Sequence, residues 1–577
     1  MPTDFSVYRR LYTQYLGPLW PRMVGAAVLL LAGIGTQLLA PQILRQFIDQ
    51  AQQGVPLAGL YGTGLLFLGL GLAGHIVQLL ALYASGDVGW RATNQLRRDL
   101  ARHVLRLDLA YHEKRTPGEL IERIDGDVGR LDNFFSGFTV RLLGGVLLAG
   151  GVVVVLALEE ILLGLGLALF AGLYLLAHMR AQGIAGPFWR QESQSRAELS
   201  GYVGERLAGV VDMRTSAAVA YTMQGLYRKM RRYFWAFCKA EIATDLGWTL
   251  SNIVFGVGFA VALALGAWQY REQTLTIGTV YLIVHYLHML RGPLNAISGQ
   301  LEDWQKIRVS IERIGQLQDQ QSAISGGQLC LPVGALGVEL KDLSFAYQPG
   351  KPVLEHISLR LEAGEVLGLL GRTGSGKTTL SRLLVRLYEA EPGRVFLGGV
   401  ELTQVELGQL RQRVGLVTQE VQLFEASLRD NIRLFDEEIG DAQIEESLHL
   451  LGLDAWYGAL PEGLDTQLVA GGGLSAGQAQ LLACARVFLK DPGLVILDEA
   501  SSRLDPASQY LLEGAIDRLL QGRTGVIIAH RLATVQRADQ IAVLEEGRLG
   551  EYGPRQRLAA EPDSAFSRLL RMGLEEV

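Results

Sequence analysis

GRTGSGKT, Gly371–Thr378, is the stretch that decides the fold. It matches G-x-x-x-x-G-K-[ST], follows the apolar run Val366–Leu370 and opens a helical pattern over Thr379–Leu387. Strand, loop and helix are the setting this motif requires. Glycines let the backbone wrap so closely that successive N–H groups form a concave anion site. The helix N-terminus adds its partial positive charge. The cradle therefore comprises Gly371, Arg372, Thr373, Gly374, Ser375, Gly376, Lys377, Thr378 and Thr379. Lys377 is expected to reach the β- and γ-phosphates of ATP, and the Thr378 hydroxyl to ligate Mg²⁺.

Downstream lies LVILDEA, Leu494–Ala500, four apolar residues followed by adjacent carboxylates. This is a buried strand whose acids fall at the C-terminal edge, where open α/β sheets bind ligands. Asp498 is expected to hold Mg²⁺, directly or through water, and Glu499 to orient and polarise the attacking water. Alone, such a run usually marks a strand meeting a solvated turn. Downstream of a phosphate loop it reads as a catalytic pair. Between the two, GGGLSAGQAQLLACARVFL (Gly471–Leu489) leads a glycine-rich turn into a helix starting near Ser475, a second phosphate-facing N-terminus. From Val338 onward β-rich runs alternate with helical patterns, which predicts an α/β domain with a largely parallel sheet.

The first 300 residues differ. Six apolar runs, Val24–Leu44, Leu57–Ala84, Val140–Leu158, Ile161–His178, Leu250–Tyr270 and Ile277–Leu294, are candidate membrane helices. About 20 helical residues rise about 30 Å, enough to cross the hydrocarbon core. Arginines crowd the N-terminal stretch and the segments 91–130 and 180–239, whereas the opposite connections hold little beyond Arg45, Glu159, Glu160 and Arg271. The positive-inside rule then puts both termini and the α/β domain in the cytoplasm of a multi-pass cell-membrane protein. SVYRRLYTQYLGPLW, before the first run, mixes tyrosine and arginine in the manner of an interfacial helix. RTPGELIERI suits a short capped helix with Thr116 as N-cap and Pro117 first, either a rigid cytoplasmic knob or an ordinary surface helix.

The fold class is thus an all-α six-helix membrane domain followed by an α/β P-loop domain. The expected boundaries are an interfacial helix at 1–23, a membrane domain at 24–307, a linker at 308–337 and the nucleotide domain at 338–571. A net charge of −6 argues against a nucleic-acid partner. The three cysteines show no metal or disulfide spacing. The N-terminus does not read as a cleavable signal, since no small-residue cleavage site follows the first apolar run.

This motif order resembles that of the ATP-binding-cassette transporters, specifically the six-span exporter type with one membrane domain and one cassette per chain. The resemblance implies ATP and Mg²⁺ as cofactors and an ATPase coupled to transport. LSAGQ (Leu474–Gln478) is similar to the family signature, so Ser475, Gly477 and Gln478 are expected to contact ATP held by a second cassette. Tyr347 resembles the aromatic that stacks on adenine, and Gln419 the glutamine that senses Mg²⁺. Asp505, in SSRLDP, resembles the acidic member of the interface-crossing loop, and His530 the switch histidine at the γ-phosphate. The knob at Thr116–Leu120 resembles the first coupling helix, and Glu205 with Gly209 match an element before the second.

Two departures stand out. The family signature has glycine where this chain has Ala476, and the preceding LVAGGG (Leu468–Gly473) lacks the usual acidic residue. A chain with intact catalytic residues and an altered signature fits one member of a heterodimer of half-transporters; a homodimer also fits, because alanine is a mild change. The expected function is export of a drug, lipid or peptide through the lipid bilayer, with a nucleotide-gated regulator or channel, or an importer, as alternatives. Gln37, His75, Gln78, Asn252, His285 and His288 are candidate substrate contacts because polar groups in spans default to function; each can equally pair with a neighbouring helix.

Overall fold

The computed structural model describes residues 5–137, 142–469, 474–498, 506–528 and 535–572. These form two compact units: one holds residues 1–105 and 116–320, the other 106–115 and 321–577.

The first unit is helical. Its long helices are α1 (Trp20–Gln52), α2 (Leu57–Arg106), α3 (Gly144–Glu159), α4 (Ile161–Ala208), α5 (Val219–Arg271) and α6 (Ile277–Gln318). α1, α2, α4 and α5 each contain a stretch long and apolar enough to cross a membrane, and α3 is a shorter apolar helix. Each of the six apolar runs falls in its own helix, although Val140, the start of the third, lies outside the described residues. Large apolar side chains such as Leu65, Leu72, Ile76 and Leu79 are exposed along the first half of α2. In water such a surface would be untenable; against lipid tails it is at home.

The helices do not stop where the apolar runs stop. α2 has 50 residues, about 75 Å at 1.5 Å per residue and more than twice the hydrocarbon thickness. Nothing in the sequence past Ala84 breaks the helix. The pattern instead changes from all-round apolar to a buried stripe, Val88, Ala92, Leu96, Leu100 and Val104, repeating every four residues on one face. α6 likewise runs on to Gln318, past residue 308 where the composition turns polar. The N-terminal segment is helical from Phe5, with Leu11, Tyr15 and Leu16 buried and Arg10 paired to Asp319 at 2.7 Å.

The second unit is α/β. Its central sheet has strands β1 (Val366–Gly371), β2 (Val414–Val417), β3 (Leu494–Asp498), β4 (Thr524–Ile528), β5 (Gln540–Glu545) and β6 (Arg548–Pro554). The spatial order is β6-β5-β1-β4-β3-β2, with all neighbours parallel except β5 and β6. β1 is buried along its whole length and β3 almost so, as expected when helices cover both faces. A separate four-stranded antiparallel sheet contains Val338–Phe345 and Leu354–Leu361.

One short helix belongs to this unit although it lies far away in sequence. Leu109–Glu113 is capped by Asp108, whose carboxylate accepts from the Tyr111 N–H at 3.0 Å. Leu109 and Ala110 pack against the sheet core, and Glu113 accepts from the Tyr388 hydroxyl at 2.5 Å and from Arg382 at 3.1 Å. The knob expected at Thr116–Leu120 is indeed a capped helix, with Thr116 accepting from the Glu119 N–H at 3.3 Å. It clusters with the helical unit, however. The segment that joins the α/β unit is therefore the preceding turn. The Thr-Pro-Gly-Glu signal, locally stronger, drew the sequence reading one helix too far.

Candidate functional site

The C-terminal edge of the parallel sheet gathers most of the expected residues. β1 ends at Gly371, β3 at Asp498, and Ile528 of β4 pairs with both Leu369 and Asp498. With strands about 4.8 Å apart, Asp498 lies two strands, about 10 Å, across from the start of the phosphate loop. Gln419 follows β2, whose Val417 pairs with Leu497. The α7 helix (Lys377–Leu384) packs against β1 and β3.

The loop is shaped as an anion cradle. Gly371 has φ +147° and Gly376 φ +104°. A Cβ on Gly371 would lie 2.3 Å from the Leu544 carbonyl oxygen, and one on Gly376 would lie 2.5 Å from Leu354 Cδ2. Only glycine fits at either position. The Lys377 ammonium, itself buried, donates to the carbonyls of Gly371 (2.5 Å) and Arg372 (3.0 Å), so it is held across the loop rather than in solvent. Inside the cradle the Ser375 hydroxyl is buried with no protein partner. An orphaned donor within a ring of glycine N–H groups fits a phosphate oxygen. Thr378 is exposed at the first turn of α7. Its hydroxyl, with Asp498 and Gln419, would offer oxygen donors of the kind Mg²⁺ prefers.

Tyr347 stands beside the loop, its hydroxyl donating to Thr379 Oγ1 at 3.1 Å and its ring edge-on to Tyr388 at 4.8 Å. Tyr347 as a whole is 38% exposed. Burial and the Glu113 carboxylate push the Tyr388 phenol well above its ordinary pKa, so it remains a donor to Glu113. Through Tyr388 and Arg382 this base-side cluster reaches Glu113. Glu113→Ala should leave ATP binding intact while abolishing the acceleration of ATP turnover by transported substrate. Measuring basal and substrate-stimulated ATPase side by side checks this.

The signature helix α8 (Ala476–Leu489) starts on a capping box: Ser475 Oγ accepts from the Gln478 N–H at 3.2 Å, and Gln478 Oε1 accepts from the Ser475 N–H at 2.9 Å. Gly477 is buried, whereas Ala476 is exposed. The alanine methyl therefore faces outward and costs this chain's own fold nothing.

Gln480, which the sequence reading passed over, donates from Nε2 to the carbonyls of Thr418 (3.1 Å) and Gln419 (2.8 Å). Arg486 adds bonds to the carbonyls of Gln422 (3.0 Å) and Asn431 (2.6 Å). Together they fix the backbone that presents Gln419. Their signal was readable in principle, since a glutamine and an arginine on the inward face of an amphipathic helix need partners. Burial holds the Arg486 pKa down to about 10 and raises the Cys484 thiol to about 12, which makes that cysteine chemically quiet. Glu499, Asp505 and His530 lie outside the described residues.

In the helical unit, Gln37 and Gln78 line a cavity of about 170 Å³ with Gly144, Gly145 and Pro293. His285 meets the Tyr281 hydroxyl at 3.2 Å, and Asn252 meets Arg291 at 2.6 Å.

Comparison with known proteins agrees with this arrangement. The profile for the ABC transporter transmembrane region matches residues 23–294, and that described as ABC transporter matches 354–502. The chain is 28% identical over 532 residues to a Bacillus subtilis protein described as an uncharacterized ABC transporter ATP-binding protein, YfiC, covering 90% of this chain and 87% of the relative. It is 29% identical over 513 residues to a Mycobacterium tuberculosis fatty acid ABC transporter ATP-binding/permease protein, covering 88% and 81%. In structure it is similar to a bacterial Atm1-family ABC exporter with ATP bound, with a TM-score of 0.81 at 23% identity, covering 96% of this chain and 98% of that one.

Proposed function

Because the chain belongs to the ATP-binding-cassette transporter family, with one membrane region and one cassette as in half-transporters, we propose that it exports a hydrophobic or amphipathic substrate as one subunit of a heterodimer. That it is an ATPase coupled to transport, built as a multi-pass membrane protein and acting as a dimer, follows from the family. Drug, lipid and peptide cargoes all suit the exposed apolar surface of its helices. The charge distribution supports a cytoplasmic cassette and cytoplasmic termini.

The observation that carries the proposal is the glycine cradle with its orphaned Ser375 hydroxyl, in the same chain as membrane-crossing helices. In the proposed cycle the cradle and Lys377 bind the triphosphate and Tyr347 seats the base. Thr378, Asp498 and Gln419 would hold Mg²⁺, which would neutralise phosphate charge when bound. Glu499 takes the proton of the attacking water, and His530 donates to the γ-phosphate. Ser475, Gly477, Gln478 and Asp505 complete the nucleotide site of the opposite cassette. ATP favours the closed dimer because only that state uses both halves of each site, and this differential affinity shifts the equilibrium.

Ala476 supports the heterodimer. Its methyl is exposed on the first turn of α8, the surface that would approach the second subunit's nucleotide. This chain's own ATP would then meet an unaltered signature on the partner, and the partner's ATP would turn over slowly. The test is to purify the chain alone: weak ATPase that rises at least tenfold on adding the partner is expected. Vigorous turnover by a homodimer would overturn the asymmetric reading while leaving the transporter reading in place.

A further inference from the structure

Arg291 is a cation near the end of the apolar run Ile277–Leu294 of α6. It lies about 21 Å along α6 from Ile277, and Asn252 lies about 28 Å along α5 from Arg271, both inside the roughly 30 Å hydrocarbon span. Among the described residues no carboxylate pairs with it. One guanidinium nitrogen donates to Asn252 Oδ1 at 2.6 Å. The guanidinium lies over the rings of Trp248 and Phe255, at 5.4 and 5.6 Å from their centroids. Cation–π contact of this kind holds the charge in place without neutralising it.

The neighbouring amides are committed in one sense only. Asn252 Oδ1 is taken by Arg291. Asn295, one turn further along α6, uses its Oδ1 to accept the Tyr174 hydroxyl at 2.7 Å. Each amide is thereby left with its NH₂, and the guanidinium keeps most of its five donors. Two helices, α5 and α6, thus present a set of donors whose acceptors are spent, carrying one full positive charge. Beside it, Trp248 is half-exposed and apolar. An ionisable group within a span tends to mark a ligand pathway. The chemistry that satisfies this constellation is a single oxyanion on an apolar tail.

We infer that Arg291, Asn252 and Asn295 form a head-group subsite for an amphiphile bearing one oxyanion, such as an alkyl carboxylate. This rests on the transport reading, since it assigns the class of cargo.

The test uses the purified transporter in phosphatidylcholine nanodiscs, with 12-bromododecanoate as a quencher of Trp248 fluorescence. Dodecanoate should displace it at least tenfold better than dodecanol or dodecylamine. Arg291→Gln should lose that preference and Arg291→Lys should keep part of it. Equal displacement by all three heads, which needs no variant to be folded, would overturn the subsite, as would full preference in Arg291→Gln. Loss of the dimer in Arg291→Gln on size exclusion would assign the guanidinium to a carboxylate of the second subunit and overturn it equally. Phosphatidylglycerol discs distinguish the sources: competition there identifies a resident anionic lipid as one oxyanion that the subsite accepts, and no competition leaves it to cargo. Wild-type ATPase is read on the same discs. Turnover without head-group preference removes the subsite alone, and preference without turnover, with the partner present, removes the transport reading alone.

Discussion

Glu499→Gln should bind ATP as tightly as the parent and hydrolyse it about 10²–10⁴-fold more slowly, the usual contribution of a positioned general base. The change keeps the size and polarity of the side chain and removes only its ability to take a proton. Its neighbour Asp498 ends β3 in register with Ile528 of β4, at the sheet edge where the phosphate cradle opens. Glu499 is the next residue in the sequence after this strand end. Phosphate release with excess ATP, together with filter binding of labelled nucleotide, separates the two properties. Normal turnover by this variant would take the catalytic role away from Glu499.

Lys377→Ala should lose both properties. The ammonium bridges the Gly371 and Arg372 carbonyls, so it does two jobs: it closes the loop on itself and supplies a buried full positive charge within the cradle. Removing a preorganised charge donor of this kind costs on the order of 10²–10³ in turnover, about 3–4 kcal/mol. Affinity for a fluorescent ATP analogue should also fall, in contrast to Glu499→Gln. If Lys377→Ala bound ATP normally and failed only in chemistry, the lysine would serve the transition state alone and the loop would hold the phosphates without it.

The cassette was legible because its signals are local and mutually consistent. Gly371 and Gly376 are glycines for reasons of φ and close approach that the motif already encodes. The buried β1 and β3 show as apolar runs of the right length. The capping box at Ser475 and Gln478 shows as a four-residue pattern. What escaped depends on distance in sequence. Glu113 meets Tyr388 and Arg382 across some 270 residues, and no period or cap in LAYHE announces that. Gln480 holds the Gln419 backbone, but on its own it is one polar residue in a helix. Arg291 lies near the end of its apolar run and reads as a boundary charge; only the spent acceptors around it give it meaning. The helix ends were missed for another reason. Hydropathy marks where lipid ends, whereas a helix ends where backbone bonding or a breaker stops it.

That continuity makes α2 a lever arm. Over about 75 Å, a tilt of about 5° at one end swings the other by about 6 Å, and its last residue, Arg106, runs directly into the Leu109–Glu113 turn held by Arg382 and Tyr388. Stiffness along the rod is uneven. All eight of its glycines lie between Gly59 and Gly89, and the stretch from Trp90 to Arg106 has neither glycine nor proline. Bending should therefore gather in the upper half, where glycine weakens the helix, while the lower half carries displacement undiminished. A displacement at the Arg106 end should thus pass along the glycine-free stretch and be taken up where the glycines lie, much as a stiff handle works a flexible blade.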